Sequence, residues 1–291
     1  MRPPAKLLER LSSMRYRLNL AKPSVGVGDR RSRAKGSGME FADHRPYREG
    51  DDTRHLDVRL FARLGKSFVR EYSIDRQLPV YVILDASTSM VSGNAAKYAF
   101  AAAVAQLFSF IALTSGDQVQ LGVFNGSGLA WSTKFQGGSR VNLVFDWLGK
   151  QPTGGQLPFS EALRLARETM VRSAMVILIS DFWDEQLDKA LTSLSADQHD
   201  LVGVHVIAPQ DLDPAALGRG PAQIVDAESG EVLEIVLDAD MTGQYQAAFQ
   251  AFAEDVNTAF SRRQGRYFQL STEADLEQLF LRDLRGAGLI S

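Results

Sequence analysis

The chain has 291 residues, 45% of them apolar and 23% charged, with a net charge of −3 and no cysteine. That length suits one large or two modest domains with ample material for a core. The lack of cysteine excludes structural disulfides and Cys-based zinc sites and fits a reducing cytosol.

The N-terminus carries charges through Arg2, Lys6, Glu9, Arg10, Arg15 and Arg17, which leaves no apolar stretch of the signal-peptide type. Leu7, Leu11, Met14 and Leu18 recur at helical spacing and predict an amphipathic helix within residues 5–20, ended by Pro23. Residues 24–40 mix Gly and Ser with Arg and Lys and read as a flexible basic loop. Residues 1–78 hold 18 basic against 10 acidic side chains, and the remainder 14 against 25. A basic front can bind nucleic acid. Here acids are interleaved after residue 40 and no row of stacking aromatics is present, so pairing with the acidic remainder is preferred. The four histidines, at 44, 55, 199 and 205, show no ligand-like spacing.

Residues 41–76 are dense in charge. Arg45, Arg48, Arg54, Arg59 and Arg63 stand among Asp43, Glu49, Asp51, Asp52 and Asp57, and Gly50-Asp51-Asp52 is a turn signal. An Arg–carboxylate network and a plainly solvated surface are both compatible with this composition.

Residues 80–84 (VYVIL) are apolar and partly β-branched, the mark of a strand buried on both faces. The run stops on Asp85-Ala-Ser87-Thr-Ser89, and an Ala-rich helical pattern follows over 95–113. Strand, polar tip and helix make the first unit of an open α/β sheet, where ligands sit outside the carboxyl ends of the strands. Asp85 offers one charged hard oxygen, and Ser87 and Ser89 offer neutral ones. Mg²⁺ takes about six oxygens at roughly 2.0–2.1 Å and keeps some as water. Such an ion, left mostly unneutralised, can accept a partner's carboxylate. The competing reading of the same residues is an Asp–Ser turn that caps the next helix. Residues 98–113 are nearly all apolar, yet short for a bilayer and rich in Ala, so a core helix is expected there rather than a membrane span.

Further strands are expected at 118–124, 129–133 (a short edge), 174–179, 201–208 and 267–270. Helices are expected at 139–149, 159–172, 187–194, 241–263 and 273–285, and a hairpin near 223–236. Alternating strands and helices argue for parallel, right-handed crossovers and a doubly wound sheet with helices on both faces. Asp181 ends a buried strand in the same register as Asp85 and is expected beside it.

Tyr47-x-x-Gly50-Asp51-Asp52-x-Arg54-x-x-Asp57, Ala62-Arg63-x-Gly65, Val69-Arg70-Glu71 and the D-x-S-x-S strand resemble the bacterial family called domain of unknown function 58 (DUF58). The resemblance covers the chain from about residue 36 onward. It implies a von Willebrand factor A-like domain over residues 79–291, preceded by a segment, 1–78, that carries the basic loop and the Arg/Asp signature. It also implies a metal-ion-dependent adhesion-type site holding Mg²⁺ or Mn²⁺ through Asp85, Ser87 and Ser89, with Asp181 reaching the ion through water. Family members are commonly encoded beside MoxR-type AAA+ ATPases, which implies an adaptor or co-chaperone that works with such an ATPase or its client. Many members have N-terminal membrane anchors. This chain shows none and is expected to be a shorter, cytoplasmic member. The second loop of the adhesion site departs from the pattern. Thr153-Gly154-Gly155-Gln156-Leu157 puts Gln156 or Leu157 where a threonine is expected, so Thr153 is the substitute donor only if the loop is rearranged.

Enzymatic chemistry finds little support. Haloacid-dehalogenase-type phosphatases place a second Asp two residues after the first, and here that position is Ser87, which is no general acid. An interaction module is the expected function. A phosphatase-like hydrolase and nucleic-acid binding through the basic loop are the alternatives.

Overall fold

The computed structural model describes residues 2–17, 31–32, 40–48, 51, 53–75, 77–91, 96–213, 218, 220–225 and 232–291. The chain forms two compact units, Met1–Asn19 with Leu78–Ser291, and Leu20–Gln77. The first helix, α1 (Ala5–Leu11), therefore belongs to the larger unit.

The smaller unit contains β1 (Arg31–Ser32), β2 (Glu40–Pro46), α2 (Val58–Leu64) and β3 (Phe68–Asp75). Its three strands lie in the order β1-β3-β2, all antiparallel. The β2–β3 pairing runs from Glu40↔Ser73 to Pro46↔Phe68, with a bulge between Phe41 and Asp43. Helix α2 starts at Asp57, whose side chain accepts the Arg59 and Leu60 N–H groups, as an N-cap aspartate does. It ends at Gly65, whose φ of 64° suits a left-handed cap.

The larger unit continues with β4 (Pro79–Asp85), α3 (Thr88–Val91), α4 (Ala96–Thr114), β5 (Gln118–Asn125), β6 (Gly128–Trp131), β7 (Phe135–Gln136), α5 (Val141–Leu148) and α6 (Phe159–Thr169). Then come β8 (Met175–Ser180), α7 (Leu187–Ser195), β9 (Asp200–Ile207), α8 (Pro209–Leu212), β10 (Gly220–Val225), β11 (Val232–Leu237), α9 (Ala239–Ser261) and β12 (Arg266–Ser271). Seven strands form one sheet in the order β12-β9-β8-β4-β5-β6, with β7 beside β5. The pairs from β12 to β5 are parallel, and β6 and β7 join antiparallel. This is the doubly wound, mostly parallel α/β sheet that the strand–helix alternation foretold. β10 and β11 make the separate hairpin expected near 223–236; residues 226–231, where its turn was expected, lie outside the described residues.

Side-chain alternation along the strands feeds two cores. Val80, Val82 and Leu84 pack with α4, α5, α1 and the C-terminal turns, whereas Tyr81 and Ile83 pack with α6, α7 and α9. Over Lys97–Thr114, α4 is long and apolar enough to cross a membrane by length and composition, yet 78% of that window is buried within the fold. It is the central helix expected from its alanines, which let it lie close on the sheet.

The two ends depart from expectation. The N-terminal helix stops at Leu11, and the chain extends so that Tyr16 bridges Ile290 antiparallel, with Ser291 N–H donating to Arg15 O at 2.9 Å. The backbone pairing there displaces the helix expected onward from Leu11; Leu18 lies outside the described residues. The expected helix at 273–285 is divided by a π turn, Leu279–Asp283, in which Leu279 and Phe280 are buried, followed by buried Leu284.

Candidate functional site at the carboxyl end of the sheet

β5 lies on one side of β4 and β8 on the other, and the chain winds outward from β4 in both directions. The crevice between the carboxyl ends of β4 and β8 is therefore the switch point of the sheet. Asp85 closes β4, and Asp181 directly follows β8. Both are buried, at 4% and 3% exposure. One Asp85 oxygen accepts Ser87 N–H at 2.8 Å, and the other accepts the Ser180 hydroxyl at 2.6 Å. Ser180 Oγ in turn accepts Phe182 N–H at 2.9 Å. Ser87 and Ser89 place their hydroxyl oxygens 3.0 Å apart. Burial, and next the charge of Asp181, push the Asp85 carboxyl up to about 7, against the pull of the Ser180 and Ser87 hydrogen bonds.

A lysine closes this crevice. Lys97 stands in the first turn of α4 and is 5% exposed. Its ammonium lies 3.2 Å from Asp181 Oδ2 and 3.0 Å from Asp211 Oδ2. Burial alone would lower its pKa, but Asp181 and Asp211 overcome this and raise it. A cation at a helix N-terminus opposes the macrodipole, so the two carboxylates are what make this position tenable. Asp211 is itself held by Ala208 N–H at 2.9 Å.

The second loop meets the first through backbone. Gly154 N–H donates to Ala86 O at 2.7 Å, Gly126 N–H to Gly154 O at 3.0 Å and Thr88 N–H to Gly155 O at 3.0 Å. A Cβ on Gly155 would lie 2.5 Å from Gly126 Cα, so the glycines serve close approach. Thr153 is exposed. After Asp181 the chain turns sharply: Phe182 is fully buried with φ at 59°, a conformation that costs a non-glycine residue of order 1–3 kcal/mol. The next residue, Trp183, is half exposed and stacks flat on Phe252 of α9, with ring centroids 4.0 Å apart.

The crevice thus gathers Asp85, Ser87, Ser89 and Asp181, and leaves Thr153 out. These residues fit a divalent ion poorly. Each Asp85 oxygen already accepts a hydrogen bond, Asp181 faces an ammonium group, and the threonine of the second loop, Thr153, is exposed and stands outside the crevice. Among the described residues, no group of three or more His, Cys, Asp or Glu could hold a metal ion. Lys97, Ser180 and Asp211 were not singled out from the sequence. A lysine in the first turn of an apolar helix, against the dipole, was the available signal for the first of them.

The Arg/Asp signature segment has local structural roles in the smaller unit. Arg45 grips Asp51 with two N–H donors at 2.6 Å each, and Arg48 N–H adds a third at 2.7 Å. The Arg45 hydrogen bond holds the Asp51 carboxyl down near about 2. Asp57 caps α2 and pairs with His44 Nε2 at 2.9 Å. Tyr47 N–H donates to Ser67 O at 2.9 Å, and Arg54 and Arg63 are exposed. Gly50 and Asp52 lie outside the described residues, as does the basic loop except for Arg31, Ser32 and Glu40.

The profile of the family described as "Protein of unknown function DUF58" matches residues 43–255. An uncharacterized protein of Mycobacterium tuberculosis is 26% identical over 257 residues, which is 86% of this chain and 80% of that protein. Among solved structures, an aerotolerance-related membrane protein from Bacteroides fragilis is similar with a TM-score of 0.41 and 16% identity, over 72% of this chain and 97% of that one. The von Willebrand factor A domain of SpRpn10 is similar with a TM-score of 0.40 and 10% identity, over 69% of this chain and 92% of that domain. The cytoplasmic location expected from the sequence is withdrawn. The similar structure from Bacteroides fragilis is named a membrane protein.

Proposed function

The chain belongs to the DUF58 family, and from that premise we propose that it is a non-enzymatic protein-interaction module that works with a MoxR-type AAA+ ATPase. Its contact surface is the carboxyl end of β4 and β8. The observation that carries this reading is the exposed Trp183, set beside the buried Asp85–Asp181 cluster on a strained turn and backed by Phe252. Indole rings supported from behind are frequent anchors of protein interfaces, and strained backbone clusters where binding occurs. The ATPase enters through the family's gene company, and a carboxylate-bearing client is the other candidate partner.

The test is binding of the full chain to a purified MoxR-type ATPase by interferometry, with Trp183→Ala as the variant. A loss of about tenfold or more in affinity, with unchanged melting, is expected. Absence of binding by the wild-type chain, or an unaffected Trp183→Ala, sinks the proposal. The hydrolase reading would be favoured by phosphate release from generic substrates that Asp85→Asn abolishes.

A further inference from the structure

We infer that the ammonium group of Lys97 is the resident cation of this sheet tip and that it excludes Mg²⁺ and Mn²⁺ from the Asp85–Asp181 crevice. A divalent ion at such a tip ties the ends of neighbouring strands together through their oxygens. Lys97 performs that task from within the chain. It joins the start of α4 to Asp181 at the end of β8 and to Asp211 in α8, beyond the end of β9.

Three features support the substitution. The ammonium is buried and has a carboxylate on each of two sides, so its charge is matched without an ion from solvent. Asp181 is the one carboxylate besides Asp85 that the adhesion-type arrangement would supply, and its Oδ2 is the atom that Lys97 holds. The second loop packs glycine on glycine against Gly126, and its threonine, Thr153, is exposed outside the crevice, so no side-chain oxygen of that loop compensates. An entering ion would have to sit beside the ammonium or drive it off its partners, and like charges in a water-poor crevice disfavour both. The inference concerns what the tip binds besides a partner and does not depend on the identity of that partner.

The experiment is a Mn²⁺ titration by calorimetry, with thermal melting in millimolar MgCl₂, MnCl₂ or chelator. It uses the full chain as wild type, Lys97→Met and Lys97→Met/Asp181→Asn. The wild type is expected to show no saturable Mn²⁺ site and the same melting temperature in all three media. Lys97→Met, with Asp181 freed, is expected to gain one Mn²⁺ site and a metal-dependent rise of a few degrees in melting temperature. The double variant should lose both. One saturable Mn²⁺ per wild-type chain, abolished by Asp181→Asn, overturns the inference. So does a folded Lys97→Met, checked by circular dichroism, that stays blind to metal. Should Lys97→Met fail to fold, the wild-type titration with its Asp181→Asn control decides by itself. Partner capture is not read in this experiment, so its failure is separable from failure of the interaction proposal.

Discussion

At the residue scale, two buried titratable groups on opposite sides of the balance shape the acid response. Asp85 has its carboxyl pushed up to about 7 by burial and by Asp181. Its folded form therefore holds a proton that the unfolded chain releases near pH 4. Its contribution to stability is fully present below the unfolded value and is lost as pH rises through 7. His205 is displaced the other way, down to about 4, by burial first and then by the charge of Lys97, with Asp211 opposing. Its contribution is present above pH 6.5 and is lost as pH falls toward 4. Between pH 4 and 6.5 the two slopes oppose each other. Asp85→Asn removes one of them. The variant should gain stability over wild type near pH 7.5, on the order of a few kcal/mol, and lose that advantage as the pH is lowered. Urea midpoints measured every half pH unit check this, and parallel curves for wild type and variant would refute it. Asp85, Ser87, Ser89 and Asp181 were legible because each sits at the end of an apolar run, a local signal. Lys97, Ser180 and Asp211 were not, because their roles depend on contacts up to 114 residues apart that only the sheet brings together.

At the element scale, the glycine-rich second loop is explained by contact and not by ligand chemistry. Gly155 has φ at 84°, and a methyl group there would strike the Gly126 backbone. Gly155→Ala should therefore destabilise by about 1–3 kcal/mol through overpacking and backbone strain. Gly149, after α5, is the control. Its φ of −68° and ψ of −9° are helical, and the nearest heavy atom to a new Cβ is 3.5 Å away. Gly149→Ala should leave stability unchanged or raise it by about 0.4–1 kcal/mol. Equal denaturation midpoints for the two variants would show that the loop is not wedged against Gly126, just past the end of β5. The sequence pattern located this loop but could not show that its glycines face other glycines. Elements with continuous apolar runs, such as β4, β8 and α4, were read within a residue or two, since burial on both faces leaves that mark whatever the partner. The antiparallel β2–β3 pair was hidden, because residues 41–76 carry so many charges that strand alternation is masked.

At the scale of the whole molecule, the two chain ends fasten each other and brace the helix that carries Lys97. Leu7, Leu11, Met14 and Tyr16 are all buried in the same core as α4 and the C-terminal residues Leu289 and Ile290. The Tyr16 hydroxyl donates to Phe108 O in the middle of α4, and Ser115 Oγ, just past its end, donates to Met14 O at 2.9 Å. Burial of four such side chains is worth about 6–12 kcal/mol at the upper limit, comparable to the whole stability of an ordinary domain. The N-terminal strap is thus part of the fold of the larger unit, although its period in the sequence announced only an amphipathic helix. Leu11, fully buried, is its anchor. Leu11→Ala should cost about 2–5 kcal/mol, lowering the urea midpoint with an unchanged slope, because a cavity in a shared core weakens the unit as one body. A cost under about 1 kcal/mol, or a second transition at low denaturant, would mean that the strap opens independently of the sheet. In that case the bracing of α4, and with it the fixed position of Lys97 over Asp181, would have to come from the sheet alone.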